Sequence, residues 1–275
     1  MSPAPARAPR EGERLRALAI VPARLGSRRL ARKMLLDDTG APLFEHTARN
    51  VLRCRAIQRV VVATDAEQVL ERARAAGLEA VATRADHASG TDRCEEALSI
   101  VGAQGWDVVA NVQGDEPELD PADLERLVAA FADPGVELAT LAGPLAQDDH
   151  ARPQVVKVVR DARGDALYFS RAPIPYRPAA GEDAAYARAD APAWSTQAHR
   201  HVGVYAFRPA ALRAFCALPR GALEALENLE QLRWLEAGRR MRVVEAKSVP
   251  LGIDTREDYD AFVERVRRTR TGGAG

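Results

Sequence analysis

Short apolar runs alternate with stretches of helical periodicity through the first half of the chain. Positions 18–21 are uniformly apolar and stop at Pro22, the pattern of a strand covered on both faces. Pro42 opens a helical pattern through Leu43, Thr47, Val51 and Leu52, with the proline expected at the first helical position, where no N–H is needed. A strand over 59–64 is rich in β-branched residues. Asp65 is placed to cap the helix that follows, and Gly77 to end it. Then come a strand at 79–82, a helix at 92–101, a strand at 107–112, a helix from Asp120 and Pro121 to about 131, and a strand at 137–141. This order predicts right-handed βαβ units and an α/β fold, with a mostly parallel sheet flanked by helices.

The rhythm changes near 150. Runs at 155–160 and 166–170, joined through Asp161 to Gly164, predict an antiparallel hairpin. Residues 177–198 are alanine-rich, polar and irregular, and are expected to form a long loop. A strand at 201–207 follows. Leucines at 223, 226, 229, 232 and 235 predict one amphipathic helix over 223–236, ended by Gly238. A strand at 241–245 and a helix at 256–268 complete the pattern. The expected organisation is a single domain over 17–268 in which about 150–222 form an inserted, β-rich lobe. Residues 1–16 are expected to be a disordered extension, and 269–275 a flexible tail.

Composition narrows the function classes. The 275 residues carry 39 Lys+Arg and 39 Asp+Glu, a formal net charge of zero. A long polyanion held along a basic face calls for a cationic excess, which is absent here. At 47% apolar residues the chain also has enough hydrophobicity for a core. Its three cysteines, Cys54, Cys94 and Cys216, show no CxxC spacing, which argues for free thiols in a reducing cytosol and against a disulfide framework or structural zinc. No apolar run approaches the ~18–20 residues that span a bilayer. The first residues lack the apolar stretch of a secretory signal. A cytoplasmic protein without membrane or nucleic-acid partners is expected.

Charge is distributed unevenly, and this points to chemistry. Five of the ten residues from 24 to 33 are cationic, directly after the first strand. Ligands in open α/β sheets bind beyond the carboxyl ends of strands, so this loop is placed to hold phosphates. Gly26 and Ser27 offer close backbone approach and donors, and arginine can fork onto two phosphate oxygens. Neither GxxxxGK[ST] nor GxGxxG is present. A solvated basic turn is the alternative reading. Asp115 stands where the fourth strand meets a glycine turn, a position suited to Mg²⁺, which takes one or two protein carboxylates together with substrate phosphates. Asp254 offers a second carboxylate ahead of the last helix, beside a capping box from Thr255 to Asp258. A turn aspartate and a helix cap are the plainer readings of these two. The stretch from Thr83 to Arg93 sets small hydroxyl residues and Gly90 against a helix start, with Thr91 as a possible cap, and offers donors to a base or phosphate.

Eight blocks taken together resemble a known family. They are Pro22-Ala23-Arg24 with Ser27, Arg29, Leu30 and Lys33; Thr83 to His87 with Ser89 to Arg93; and Asn111 to Pro117. Val156 to Val159, Tyr168 to Pro175, Arg200 to Tyr205, Leu229 to Arg233 and Gly252 to Thr255 follow in order. The chain from about 16 to 268 is similar to the 3-deoxy-manno-octulosonate (Kdo) cytidylyltransferases, also called CMP-Kdo synthetases. It departs from their usual Leu-Pro-x-Lys, having Leu30-Ala31-Arg32-Lys33, and has Arg152-Pro153-Gln154 where Asn-Pro-Asn is common.

The resemblance implies a nucleotide-diphospho-sugar transferase-like fold with a sugar-binding and dimerisation lobe. It implies transfer of CMP from CTP to the anomeric hydroxyl of Kdo with Mg²⁺, giving CMP-Kdo and pyrophosphate, in a cytoplasmic homodimer that supplies lipopolysaccharide synthesis. By the same resemblance Arg24, Arg29 and Lys33 hold the triphosphate, and Arg84, Ser89, Gly90 and Gln113 line the cytidine pocket. Asp115 and Asp254 hold Mg²⁺, while Arg171, His201, Glu230 and Gln231 face the sugar acid. The readings kept beside this one are the same chemistry on 8-amino-Kdo or a sialic-acid-like sugar, and a catalytically silent nucleotide-binding relative. Each sugar-facing residue also has a plain reading, as a strand histidine or the polar face of a helix.

Overall fold

A computed structural model describes residues 14–26, 29–176 and 198–272. Ser27, residues 1–13, all but the last residue of the expected loop at 177–198, and 273–275 lie outside the described residues. The first strand, β1 (Ala17–Pro22), is buried at every position. It pairs in parallel with β2 (Ile57–Thr64) on one side and β4 (Val108–Asn111) on the other, and β2 pairs in parallel with β3 (Glu79–Ala82). Successive β1 side chains point to opposite faces, and both faces are packed. Ala17, Ala19 and Val21 join one core with Phe44, Val62, Leu124 and Phe131. Leu18 and Ile20 join the other with Leu98, Phe207, Phe215 and Trp234.

The helices α1 (Leu43–Val51), α2 (Glu67–Ala75) and α3 (Gly90–Val101) connect these strands, and α4 (Pro121–Ala129) follows β4. Beyond β4 the sheet reverses. The long strand β8 (His199–Phe207) runs antiparallel to both β4 and β5 (Leu138–Pro144), and β9 (Arg242–Glu245) pairs in parallel with β5. The order through the described residues is β3-β2-β1-β4-β8-β5-β9. The expected hairpin forms from β6 (Lys157–Arg160) and β7 (Ala166–Ser170), and β6 pairs with the start of β8. The expected α/β class, with its mostly parallel sheet and helical layers, is therefore observed. No helix among the described residues is long and apolar enough to cross a membrane.

Several local expectations are corrected. The helix expected over 223–236 is two helices, α6 (Ala222–Glu227) and α7 (Leu232–Glu236), broken at Asn228, whose φ of 52° is left-handed. A strict three-residue leucine repeat drifts by about 60° per step around a helix of 3.6 residues per turn. The five leucines therefore cannot share one face: Leu229 and Leu232 are buried, whereas Leu226 is 82% exposed. Asp65 does not cap α2, which starts after Ala66 without a side-chain cap; its carboxylate pairs with Arg93 at 3.1 Å instead. Pro42 occupies the cap position of α1 rather than its first turn.

A helix α5 (Pro209–Ala217) and a 3-10 turn at Lys33–Leu35 were not anticipated from the pattern. Arg16 N–H donates to Asp107 Oδ2 at 2.8 Å, and the last helix, α8, spans Arg256–Gly272.

The left-handed break is testable. Asparagine tolerates this conformation, while a Cβ without a short polar tip is penalised by roughly 1–2 kcal/mol. Asn228→Ala should lower urea stability by about 1 kcal/mol, and Asn228→Gly should not. Equal midpoints for the two variants would contradict the assignment.

Candidate active site

The carboxyl ends of β1 and β4, the start of α3 and the loop before α8 surround a cleft of about 650 Å³. Arg24, Arg29 and Lys33 bring cations to its wall, Asp115 and Asp254 bring carboxylates, and Gly90 and Gln113 lie opposite. Arg93, Met34 and Asn228 also line it. None of these three was singled out from the sequence as a site residue. The left-handed break that puts Asn228 at the cleft was hidden by the leucine repeat.

Lys33 organises the charged end. It is only 7% exposed, and its Nζ donates to Asp115 Oδ2 at 2.5 Å, Ile253 O at 2.9 Å and Asp254 Oδ1 at 3.2 Å. Burial pulls its pKa down, but Asp115 and then Asp254 outweigh that, and the net shift is upward from 10.5. Arg29 closes the cluster from outside, 2.9 Å from Asp254 Oδ2. Two aspartates from distant parts of the chain thus share one ammonium.

The backbone beneath is pinned. Gly114 N–H donates to Pro22 O at 3.1 Å, and Ile253 N–H to Asp115 O at 3.0 Å. Thr47 Oγ1 donates to Gly114 O at 2.8 Å. A Cβ on Gly114 would lie 2.9 Å from Met34 Sδ and 3.0 Å from Pro22 O, so the turn that presents Asp115 requires glycine. Asp254 precedes the expected box, in which Asp258 N–H donates to Thr255 Oγ1 at 3.2 Å and Thr255 N–H to Asp258 Oδ2 at 2.9 Å. Beside the pair, Glu116 Oε2 is buried without a partner among the described residues. Burial first, then the charges of Asp115 and Asp254, push the Glu116 carboxyl up to about 8.

On the opposite wall Ser89, not Thr91, caps α3: its Oγ accepts from Asp92 N–H at 3.1 Å, and Asp92 Oδ2 accepts from Ser89 N–H at 3.1 Å. Arg93, 2% exposed, holds the preceding loop through Thr83 Oγ1 at 2.5 Å and Arg84 O at 3.2 Å. The Arg84 guanidinium itself is not in the cleft lining; it faces Asp86 at 3.5 Å and Glu96 at 3.8 Å. Gln113 Nε2 donates to Asn111 Oδ1 at 2.9 Å, Asn111 Nδ2 to Thr91 Oγ1 at 3.1 Å, and Thr91 Oγ1 to Glu230 Oε1 at 2.6 Å.

Glu230 and Gln231 therefore sit at the junction of α6 and α7, not on a helix face. Glu230 Oε2 and Gln231 Nε2 are buried without partners among the described residues. Arg171 lies at the end of β7, where Nε donates to Glu227 O at 2.9 Å and Nη1 to Pro153 O at 3.1 Å. Beneath it the fully buried Lys157 gathers Val155 O at 2.7 Å and Arg171 O at 2.5 Å. His201 packs against Phe169 and Tyr205, with ring centroids 5.0 and 5.6 Å away, and meets Thr140 Oγ1 at 2.9 Å. Desolvation there pushes its pKa down to about 3, so the ring is neutral. Arg24, Arg29, Lys33, Gly90, Gln113, Asp115 and Asp254 thus line one cleft, and Glu230 joins it by hydrogen bonds. Arg84, Ser89, Arg171, His201 and Gln231 lie outside that lining.

A cation-lined cleft at the strand ends with two convergent carboxylates suits nucleotidyl transfer. The family model described as cytidylyltransferase matches residues 18–243. The chain is a nucleotidyltransferase of the cytidylyltransferase class. It is 48% identical to the 3-deoxy-manno-octulosonate cytidylyltransferase of Anaeromyxobacter sp. strain Fw109-5, over 89% of this chain and 94% of that protein. Its identity to the protein of that name from Chlorobaculum parvum is 45%, over 92% and 98%. A solved structure of CMP:2-keto-3-deoxy-manno-octonic acid synthetase complexed with CTP superposes with a TM-score of 0.82 at 37% identity, covering 92% of this chain and 99% of that one. The chain belongs to the 3-deoxy-manno-octulosonate cytidylyltransferase family. A cytidylyltransferase from Leptospira borgpetersenii, 16% identical with a TM-score of 0.59 over 92% of this chain and 87% of that one, shares the fold.

The neutral His201 predicts a pH dependence. The folded ring titrates near 3 and the unfolded one near 6.5, so between these values the unfolded chain binds the extra proton. This group should cost about 1 kcal/mol of stability per pH unit as pH falls below 6.5. Urea unfolding of His201→Gln from pH 7 to 4.5 should show a shallower acid decline than the parent. Parallel declines would contradict a half-buried, desolvated neutral ring.

Proposed function

We propose that this chain joins CMP from CTP to the anomeric hydroxyl of Kdo and releases pyrophosphate. The observation that carries the proposal is the meeting of Asp115, Asp254 and Lys33 in a cleft that also holds Arg24 and Arg29. The sugar oxygen forms the new bond to the α-phosphorus as the bond to pyrophosphate breaks. The reaction needs no protein nucleophile; it needs alignment and charge neutralisation.

Arg24, Arg29 and Lys33 are assigned to the triphosphate, where they neutralise charge on the departing pyrophosphate. Ser27, Arg84, Ser89, Gly90 and Gln113 are assigned to the nucleotide. Arg171 is the cation for the sugar carboxylate, with His201, Glu230 and Gln231 around the hydroxyls. Since His201 is neutral, it takes part as a hydrogen-bonding group and not as a charge.

Asp115 and Asp254 form an oxygen donor set that fits Mg²⁺, which is content with two protein carboxylates when phosphates and waters complete its shell. When bound there, Mg²⁺ polarises the α-phosphate and lowers the pKa of the attacking hydroxyl. The Lys33 ammonium holds both aspartates together, donating to each of them and to Ile253 O. We further assign the hairpin region within 150–222 to the sugar and to a homodimer contact. The product is assigned to lipopolysaccharide supply in the cytoplasm.

Pyrophosphate release with CTP, Mg²⁺ and a panel of Kdo, 8-amino-Kdo and a sialic acid tests the substrate. Kdo should give the fastest release, and faster release with another acid would overturn it. Asp115→Asn and Asp254→Asn should each lower turnover on the order of 10²–10³-fold with an unchanged circular dichroism spectrum. Near-parental turnover in either variant would refute the metal assignment.

A further inference from the structure

Asn111 is fully buried at the end of β4, and Thr91 is fully buried in the first turn of α3. Neither is a ligand-facing residue in the reading above, yet together they join Gln113 to Glu230 by three consecutive hydrogen bonds. The polarity of this chain is set from one end. Glu230, whose pKa full burial pushes up, accepts from the Thr91 hydroxyl at Oε1, and this spends the single proton of Thr91. Thr91 Oγ1 is then an acceptor for the Asn111 amide, which turns Asn111 Oδ1 away from Thr91 and toward Gln113. Gln113 must meet that oxygen with Nε2. Its other end, Oε1, is left for the cleft. The amide lies across Gly90, where a Cβ would come within 2.7 Å of Oε1 and 2.8 Å of Nε2, so the wall is shaped to admit it.

We infer that Thr91 and Asn111 are positioning residues that lock the Gln113 amide with its carbonyl oxygen toward the cleft, so that this site accepts a hydrogen bond from an N–H or O–H donor of the nucleotide. A freely rotating glutamine presents either end and discriminates poorly. A locked one rewards a donor and rejects a lone pair in the same place. Within the nucleotide the donors available are the base amino group and a ribose hydroxyl. The inference rests on the placement of Gln113 in the nucleotide pocket.

The test is a double-mutant cycle of Thr91→Val and Gln113→Ala, read as kcat/KM for CTP and, without any sugar present, as the CTP dissociation constant. Thr91→Val keeps shape and removes both hydrogen-bonding functions. Alone it should weaken both readouts about tenfold, the scale of one well-made hydrogen bond. In the Gln113→Ala background it should add almost nothing, because Thr91 acts through Gln113. Thr91→Ser, which keeps the hydroxyl, should recover most of the loss.

Comparison of CTP with UTP, and of CTP with 2′-deoxy-CTP, identifies the donor. The preference that falls in Thr91→Val to the level of Gln113→Ala marks the group that Oε1 receives. Thermal midpoints, with Thr91→Ala as a second variant, separate lost folding from lost positioning. Additive losses in the cycle, a parental dissociation constant in folded Thr91→Val, or failure of Thr91→Ser to rescue would each overturn the inference. Absent turnover with CTP and Kdo in the parent would instead count against the proposed function, while the binding cycle would still decide the relay.

Discussion

The charged end of the cleft depends on one nearly buried ammonium. Asp115 and Asp254 arrive from the end of β4 and from the loop before α8, and without Lys33 two carboxylates would face each other in a partly desolvated space. Their repulsion would part the loop from the strand, because the backbone contact between Ile253 and Asp115 is a single hydrogen bond. Lys33 converts that repulsion into a joint. Its own desolvation is offset only because both carboxylates and a carbonyl surround it. This is the condition under which a buried charge is tolerated. The glycine at 114 and the short 3-10 turn that aims Lys33 follow from the same requirement, since both allow main chain to come close enough for the three groups to meet.

The opposite wall is governed by polar groups of another kind. Asn111, Thr91 and Gln113 are uncharged, and their order comes from shared protons. A buried polar chain of this sort is costly when incomplete and rigid when complete. Here it runs from β4 across the start of α3 to the break between α6 and α7. It therefore ties the nucleotide wall to the region assigned to the sugar. Rigidity on this side complements the other, where Arg29 and Asp254 are substantially exposed and their contact is free to exchange for phosphate or metal.

The parallel half of the sheet was legible because its signals are local. The apolar run at 18–21 and the β-branched run at 59–64 match β1 and β2 to within about two residues, and 79–82 coincides with β3. The leucine repeat at 223–235 misleads because each three-residue step drifts about 60° around a helix of 3.6 residues per turn. Asp65 misleads as a cap because its carboxylate pairs with Arg93, a buried arginine of α3 distant in the sequence. For the site, strand-end position singles out Asp115 and Asp254, charge clustering singles out the loop of Lys33, the family resemblance implies their roles, and the fold brings the three together. Spacing carries no information on whether residues so far apart in the chain converge. Asn111 and Thr91 were invisible for a different reason: a buried amide and hydroxyl read as ordinary strand and helix residues until their partners are known.

One strand couples the two halves. The start of β8 pairs with the hairpin through Arg200 and His199, its end pairs with β4 through Tyr205 and Phe207, and β5 pairs along its whole length. The hairpin is therefore not an appended module. It hangs from a strand whose far end lies in the centre of the nucleotide sheet. A hairpin exchanged between relatives to alter sugar choice would bring no strand of its own into the sheet. It would have to match the register and the bulge of β8 already there. On the proposed assignment of the hairpin to the sugar, the two recognition tasks are not separable building blocks, and new specificity is more accessible by changing side chains along β8 than by transplanting the hairpin.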